Sequence, residues 1–325
     1  MSSAILVTGA TGFVMANLIR HLAERGHDVV GADLNPPDHS LRRFVEGLPG
    51  RVSFRQVDVT DRAAVAVLVQ DVRPARVVHG AAITSIPLEV ERTRFLDTAD
   101  VNVTGTLNVL ATLARVPTGR VVAISSGSVY GPRESLAPIG EDDIKEPQAA
   151  YPMTKWAADM LARRFAKVYG LDLAVARLAG PFGPFERDTG SRPLLSPMVE
   201  WASAAVKGEP VVVSGDATVP RDSVYVGDVA GGIGAMLFAD QLPHDAYNVG
   251  WGRGTSAKQA VAALGRIVPK LTVEWCPERP SPWSGPGAVA GPLCCDRVRQ
   301  DLGWKPRYGL DSGLAEYIEW LRRYA

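Results

Sequence analysis

Tyr151 and Lys155 stand four residues apart in YPMTKWAAD, downstream of the strand-like run RVVAIS and of Ser125 and Ser126. In a helix, residues i and i+4 share a face, so this spacing brings a phenol beside an ammonium. An unperturbed tyrosine titrates near pH ~10, and a neighbouring cation favours its ionised form. Together the pair can move a proton at neutral pH. Alone, Y-x-x-x-K is common on surface helices. Here it follows a Gly-rich turn, VTGATG, at the start of the chain. That company predicts hydride-transfer chemistry, with a dinucleotide site first and an acid/base group second.

The elements that must position these residues alternate strand and helix. AILVTG reads as a strand, FVMANLIRHLAERG as an amphipathic helix and DVVGAD as a second strand, a βαβ unit closing within about thirty residues. Strand-like runs follow at RVSFRQ, ARVVHGA, GRVVAIS and LDLAVAR. Helical patterns separate them, at RAAVAVLVQ, VNVTGTLNVLATLAR and AAYPMTKWAADMLARRFAKVYG. This alternation predicts a doubly wound α/β domain, a parallel sheet of Rossmann type covered on both faces, over residues 1–177. Pro- and Gly-rich segments dominate after Gly180, as in GPFGPFERDTGSRP and PERPSPWSGPGAVAGP. Residues 178–325 therefore read as a smaller α/β substrate lobe, with part of 221–250 returning to the first domain.

Gly9 and Gly12 lie between strand and helix, where glycine lets backbone amides approach a pyrophosphate at the helix N-terminus. Asp33 ends the second strand, where a carboxylate can accept hydrogen bonds from an adenosine ribose. A 2′-phosphate would meet like charge there. Leu34 and Asn35 offer no cation, and Arg42 and Arg43 lie further along, so NAD is expected rather than NADP.

Composition bounds the class. The chain has 325 residues, 35 basic and 35 acidic, and 46% hydrophobic, the profile of a globular protein with one large or two ordinary domains. No apolar run approaches the ~18 residues of a membrane span, and MSSAILVTGA enters a strand without a basic leader. A cytoplasmic protein is expected. Cys276, Cys294 and Cys295 include no C-x-x-C, and the five histidines form no H-x-x-x-H, so no metal is expected. Balanced charge without a basic run argues against nucleic acid.

TGATGF, Asp58 in QVDVTD, HGAA, VNVTGT, SSGSVYG, YPMTK, RDSVYVGD, YNVG and LGWKP, in this order, resemble the extended short-chain dehydrogenase/reductase family, the NAD-dependent epimerase/dehydratase group. The resemblance runs nearly end to end. It implies NAD held by Gly9, Thr11, Gly12, Phe13, Val14 and Asp33, with Asp58 and Val59 flanking the adenine. Ala81 and Ala82 would line the cofactor, and Asn102 would contact it from the following helix. Ser126 matches the serine that bonds the reacting oxygen, Tyr151 the general acid/base and Lys155 the lysine that binds nicotinamide ribose. By themselves, Asp58 reads as a turn residue, the alanines as packing, and Ser126 as a strand-end cap.

Two features depart from the family pattern. Met15 stands where a third glycine is usual, so a shifted helix or weaker cofactor affinity is expected. The R-x-x-N motif is incomplete, since Arg177 is followed by Leu178, Ala179 and Gly180. Arg221 in RDSVYVGD matches the arginine that meets a substrate diphosphate. Arg187 and Arg192 could replace the absent asparagine, and Thr84, Ser126, Ser128, Tyr151, Arg187 and Arg221 are the expected substrate contacts. Family dehydratases carry acidic residues where this chain has Gly127 and Ser128, which removes the acid and base of elimination. SIPLEVERTRFLDTAD is either a cover over the substrate or a surface excursion. Three functions follow: a nucleotide-sugar epimerase, favoured; a dehydrogenase of a free sugar, sugar acid or other secondary alcohol; and a catalytically silent NAD-binding protein. Family members pair through helices matching VNVTGTLNVLATLAR and MTKWAADMLARRFAKVYG, which implies a homodimer.

Overall fold

The computed structural model describes residues 4–84, 87–133, 135–281 and 291–324. Its first half alternates β1 (Ile5–Thr8), α1 (Phe13–Glu24), β2 (Val29–Asp33), α2 (His39–Phe44), β3 (Val52–Gln56), α3 (Arg62–Val72) and β4 (Arg76–His79). There follow α4 (Leu88–Ala99), α5 (Gly105–Leu113), β5 (Val121–Ser126), α6 (Ala150–Tyr169) and β6 (Leu173–Leu178). The second half holds β7 (Gly180–Phe182), α7 (Pro197–Lys207), β8 (Val211–Ser214), β9 (Arg221–Tyr225), α8 (Val226–Phe238) and β10 (Ala246–Val249). It ends with β11 (Gly254–Thr255), α9 (Ala257–Ile267), β12 (Val273–Cys276), α10 (Asp296–Leu302) and α11 (Leu310–Tyr324). Ser85 and Ile86 of the SIPLEV segment, and residues 282–290 of the second Pro-rich segment, lie outside the described residues.

Seven strands form one parallel sheet in the order β10-β6-β5-β4-β1-β2-β3. Strand order reverses between β1 and β4, so the connections leaving their paired C-terminal ends run to opposite faces and open a crevice, the ligand site of doubly wound sheets. Central strands read as apolar runs because both faces are covered: β1 is buried at all four positions and β6 at all six. One face packs on α1 and α8 around Leu18, Ile19, Val229 and Ile233, the other on α3, α5 and α6 around Leu68, Leu110 and Ala162. The chain returns to this sheet through α8 and β10, and β10 pairs with β6. A third core, around Trp201, Val213, Leu264 and Leu314, joins α7, α9 and α11 to the pair β8 and β12. A three-stranded sheet, β11-β9-β7, bridges this lobe to the crevice.

Candidate active site

One cavity of about 800 Å³ runs from the β1 turn, past the ends of β4 and β5, to β9. Its first half is built mainly of backbone. Gly9 has φ +74°, and a Cβ there would lie 2.7 Å from Gly80 C and Ala81 N, so only glycine lets the turn seat against the exit of β4. Gly12 caps α1 without a side chain, which leaves the first-turn amides of Phe13 and Val14 open to an anion. Asp33 accepts a hydrogen bond from the Thr11 amide (2.9 Å) and lines the cavity, where Leu34 and Asn35 add no cation. Asp58 and Val59 line the same end; Asp58 bonds the Thr60 amide (2.8 Å) and hydroxyl (2.7 Å), so it is also a turn residue. Ala81 and Ala82 form the wall beyond β4. This cradle, with its open helix N-terminus and the Asp33 carboxylate, fits NAD.

Asn102 departs from its expected role. It is fully buried on a one-turn π-helix, Asp100–Thr104, and is not among the residues lining the cavity. Its amide is committed to the Ile83 amide and carbonyl (2.9 Å each) and to the Thr154 hydroxyl (2.9 Å). It therefore clamps the 81–84 wall to α6 rather than touching a cofactor.

The reacting groups meet where β5 ends against α6. Ser126 accepts hydrogen bonds from the Ser128 amide (3.1 Å) and hydroxyl (2.9 Å), capping the 3₁₀ turn Gly127–Tyr130, and it lies against the Tyr151 phenol, whose ionised form it favours. The serine is thus both a strand-end cap and a partner of the tyrosine. Burial raises the Tyr151 pKa, opposed by the Ser126 hydrogen bond and the Arg192 charge. Lys155, one turn on, is 4% exposed; burial pulls it down to about 8 while Asp159 pulls it back up. Asp159 is held by Arg163 (2.7 Å) and by Arg177 through two bonds (2.8 and 3.3 Å). Arg177 thus serves this buried network, and Gly180, in β7, pairs with Ser223 of β9. Glu91 of α4 accepts the Ala150 amide (2.6 Å), capping the catalytic helix whose own N-cap, Ala149, supplies no side-chain bond. Next to this group, His79 is buried between the Thr8 and Thr106 hydroxyls (2.8 and 3.0 Å). Burial, reinforced by the Lys155 charge, holds it neutral, with its pKa down to about 3.

The other half of the cavity is lined by α4, the loop before α7, and β9. Arg221 reaches it with Nε and Nη1 buried and without partners, and burial pulls its pKa down to about 10. Thr84 lines it too, tied through its amide (2.9 Å) and hydroxyl (3.2 Å) to the Ser191 carbonyl. Arg94 of α4 donates to the Gly190 carbonyl (2.7 Å), so α4 and this loop close together over the crevice. The described part of the SIPLEVERTRFLDTAD segment lines the cavity through Pro87, Leu88, Glu91 and Arg94. Arg187 is a correction: it pairs with Asp38 (2.6 Å), packs over Phe185, and is not among the lining residues. The loop arginine at the cavity is Arg192, bonded to Glu186 (2.5 Å) and stacked 5.3 Å over the Phe13 ring, its Nε buried and unpartnered. Glu91, Asp159 and Glu186 escaped the sequence reading. Only Asp159, four residues after Lys155, left a spacing signal.

The fold and this site define an NAD-dependent enzyme of the short-chain dehydrogenase/reductase type. The model of the NAD-dependent epimerase/dehydratase family matches residues 5–250, and the chain belongs to that family. It is similar to a UDP-glucose 4-epimerase of Mycolicibacterium smegmatis, 28% identical over 98% of both chains. It is also similar to a dTDP-glucose 4,6-dehydratase of Xanthomonas campestris, 27% identical over 97% of this chain and 92% of the relative. The crystal structure of the Thermotoga maritima UDP-glucose 4-epimerase with UDP-glucose superposes with a TM-score of 0.84, at 26% identity over 98% of this chain and 99% of that one. Among the described residues, no helix is long and apolar enough to cross a membrane, and no cluster of His, Cys, Asp or Glu is arranged to hold a metal.

Proposed function

We propose that this enzyme epimerises a secondary alcohol of a nucleotide sugar. The observation that carries the reading is Arg221: two guanidinium nitrogens buried without partners, in the cavity that also holds Ser126, Tyr151 and Lys155. A buried cation lacking a counter-charge is costly, and a diphosphate would satisfy it. Tyr151 takes the hydroxyl proton as the carbon is oxidised and returns it on re-reduction. Ser126 donates to the developing carbonyl oxygen, and the Lys155 ammonium favours the phenolate against the effect of burial. Bound NAD supplies the hydride acceptor and donor. Gly127 and Ser128 put no carboxylate beside Ser126, which favours epimerisation over elimination. Glu91 also lines the cavity, but its carboxylate caps α6.

Arg192 supports a second reading, oxidation of a sugar acid with release of NADH, because its free Nε suits a carboxylate at the reacting end. One experiment separates the readings. Purified enzyme is incubated with UDP-glucose, UDP-galactose, UDP-glucuronate, dTDP-glucose and free sugar acids, following products by NMR and NADH by absorbance. An equilibrium pair of epimers without net NADH supports the first reading. NADH accumulating with a sugar acid establishes the second, and a 4-keto-6-deoxy product overturns both.

The same reading includes a homodimer and a cytoplasmic site of action. Phe95 and Leu96 of α4, and Met153, Met160, Leu161 and Val168 of α6, are exposed apolar residues on helices of one side of the sheet, which suits a second copy. Light scattering giving a monomer mass at micromolar concentration would overturn the dimer. All three cysteines are free, which suits a reducing compartment.

A further inference from the structure

Met15 occupies the first turn of α1, lines the cavity and is 3% exposed. Its side chain turns toward the start of the wall beyond β4. A Cβ built on Gly80 would lie 2.7 Å from Met15 Cγ and 3.1 Å from Cε, and would also overlap Sδ. The thioether thus fills the volume that a side chain at residue 80 would take. Gly80 cannot retreat, because its amide is bonded to the Thr8 carbonyl (3.1 Å) and hydroxyl (3.2 Å). The Gly9 turn, which leaves no room for a Cβ against Gly80 and Ala81, fixes the same backbone from the other side. The remaining surroundings of Met15 belong to the packed core beneath α1. A methionine displaced from Gly80 has one direction with room, which is the cavity beside the α1 N-terminus.

We propose that Met15 and Gly80 are a reciprocal pair that positions the dinucleotide. A side chain at 15, where close approach to a pyrophosphate ordinarily asks for glycine, is accommodated because residue 80 has none. The proposal rests on the assignment of the β1 turn to NAD and adds a positioning role for two residues.

A double-mutant cycle tests it. NAD is titrated calorimetrically into wild type, Gly80→Ala, Met15→Gly and the double variant, with Asp33→Asn as a control and thermal melts of each protein without NAD. Gly80→Ala is expected to weaken NAD binding ~tenfold or more by driving the thioether into the cofactor's room, and Met15→Gly to weaken it ~threefold or less. The double variant is expected to bind like Met15→Gly, since the three atoms nearest the methyl added at residue 80 all belong to the Met15 side chain. Losses that multiply, or an unchanged affinity in Gly80→Ala with only a lowered melting point, overturn the proposal. If Gly80→Ala does not fold, the double variant is compared with Met15→Gly alone: equal affinity supports the pair, and a further ~tenfold loss overturns it. Loss of affinity in Asp33→Asn alone leaves the turn as the NAD site and removes the pair. No change in any variant removes both.

Discussion

The two halves of the cavity are built in opposite ways. At the dinucleotide end, contacts come from strand termini and their immediate turns. Most polar groups behind them are paired: His79 bonds two threonines, Asn102 fills its amide with Ile83 and Thr154, and Asp33 accepts from the Thr11 amide with capacity to spare, while Ser125 Oγ is buried without a partner. At the other end, α4, a Pro-rich loop and β9, the central strand of the small sheet, converge from a stretch of more than a hundred residues, and Arg221 and Arg192 keep buried donors without partners. The first half is preorganised by its own fold, whereas the second is completed by its ligand. Such a division lets one NAD-binding frame serve many substrates.

The reacting groups between the halves carry the largest expected effect. Tyr151→Phe should lower kcat by ~10²–10⁴-fold while calorimetry finds NAD affinity unchanged, because only the ionisable oxygen is lost. Retained turnover would remove the tyrosine from its role. The dinucleotide half should dominate stability against acid. His79 and His21, held down to about 3 and about 4, stay neutral in the fold, while in the unfolded chain each takes a proton near pH 6.5. Their contribution should therefore be full above pH 6.5 and fall as pH drops toward 4, by up to ~1.4 kcal/mol per pH unit for His79, partly offset by Asp222, whose carboxyl, raised to about 6 by burial, acts in the opposite sense. Melting curves between pH 7.5 and 4.5 check this, and His79→Gln should flatten the slope.

The substrate half should answer through affinity. Arg221→Met should raise KM for nucleotide sugars ~10–100-fold with little change in melting temperature, since its guanidinium has no partner to lose. An unchanged KM would deprive the nucleotide-sugar reading of its main residue. Asp33→Asn should weaken NAD ~tenfold and narrow the preference over NADP, measured by titration with both. The smallest effect belongs to Arg187→Ala, which breaks a half-exposed pair with Asp38. Stability should change by ~0.5 kcal/mol or less and KM not at all, whereas Arg192→Ala should raise KM. Equal effects on KM would blur the distinction between the two loop arginines.

Legibility followed the same division. Gly9, Gly12, Asp33, Ser126, Tyr151 and Lys155 were readable because short spacings on one strand, turn or helix fix which way each points. Six of the seven strands of the main sheet were readable for a related reason, since central strands covered on both faces demand apolar runs; β10 was legible only as a return of the chain to the first domain. The clamp of Asn102 on Ile83 was not readable, because an asparagine in a helix looks the same whether it faces a ligand or clamps a loop. Arg187 and Arg192 are five residues apart in a loop without periodicity, and only their partners, Asp38 for one and Glu186 with Phe13 for the other, decide which reaches the cavity.

By itself the sequence determined the doubly wound sheet and placed Gly9, Gly12, Ser126, Tyr151 and Lys155 on the turn, strand end and helix that line the cavity, because each placement depends on residues within one or two turns of one another. Tertiary structure alone decided that Glu91 caps the catalytic helix, that α4 covers the crevice, that Arg192 enters it, and that Met15 rests in the space left by Gly80. Those contacts join segments far apart in the chain, or, for Met15 and Gly80, two adjacent strands' exits. Local propensity carries no record of such distant neighbours, which are fixed only when the packed core sets the elements against one another.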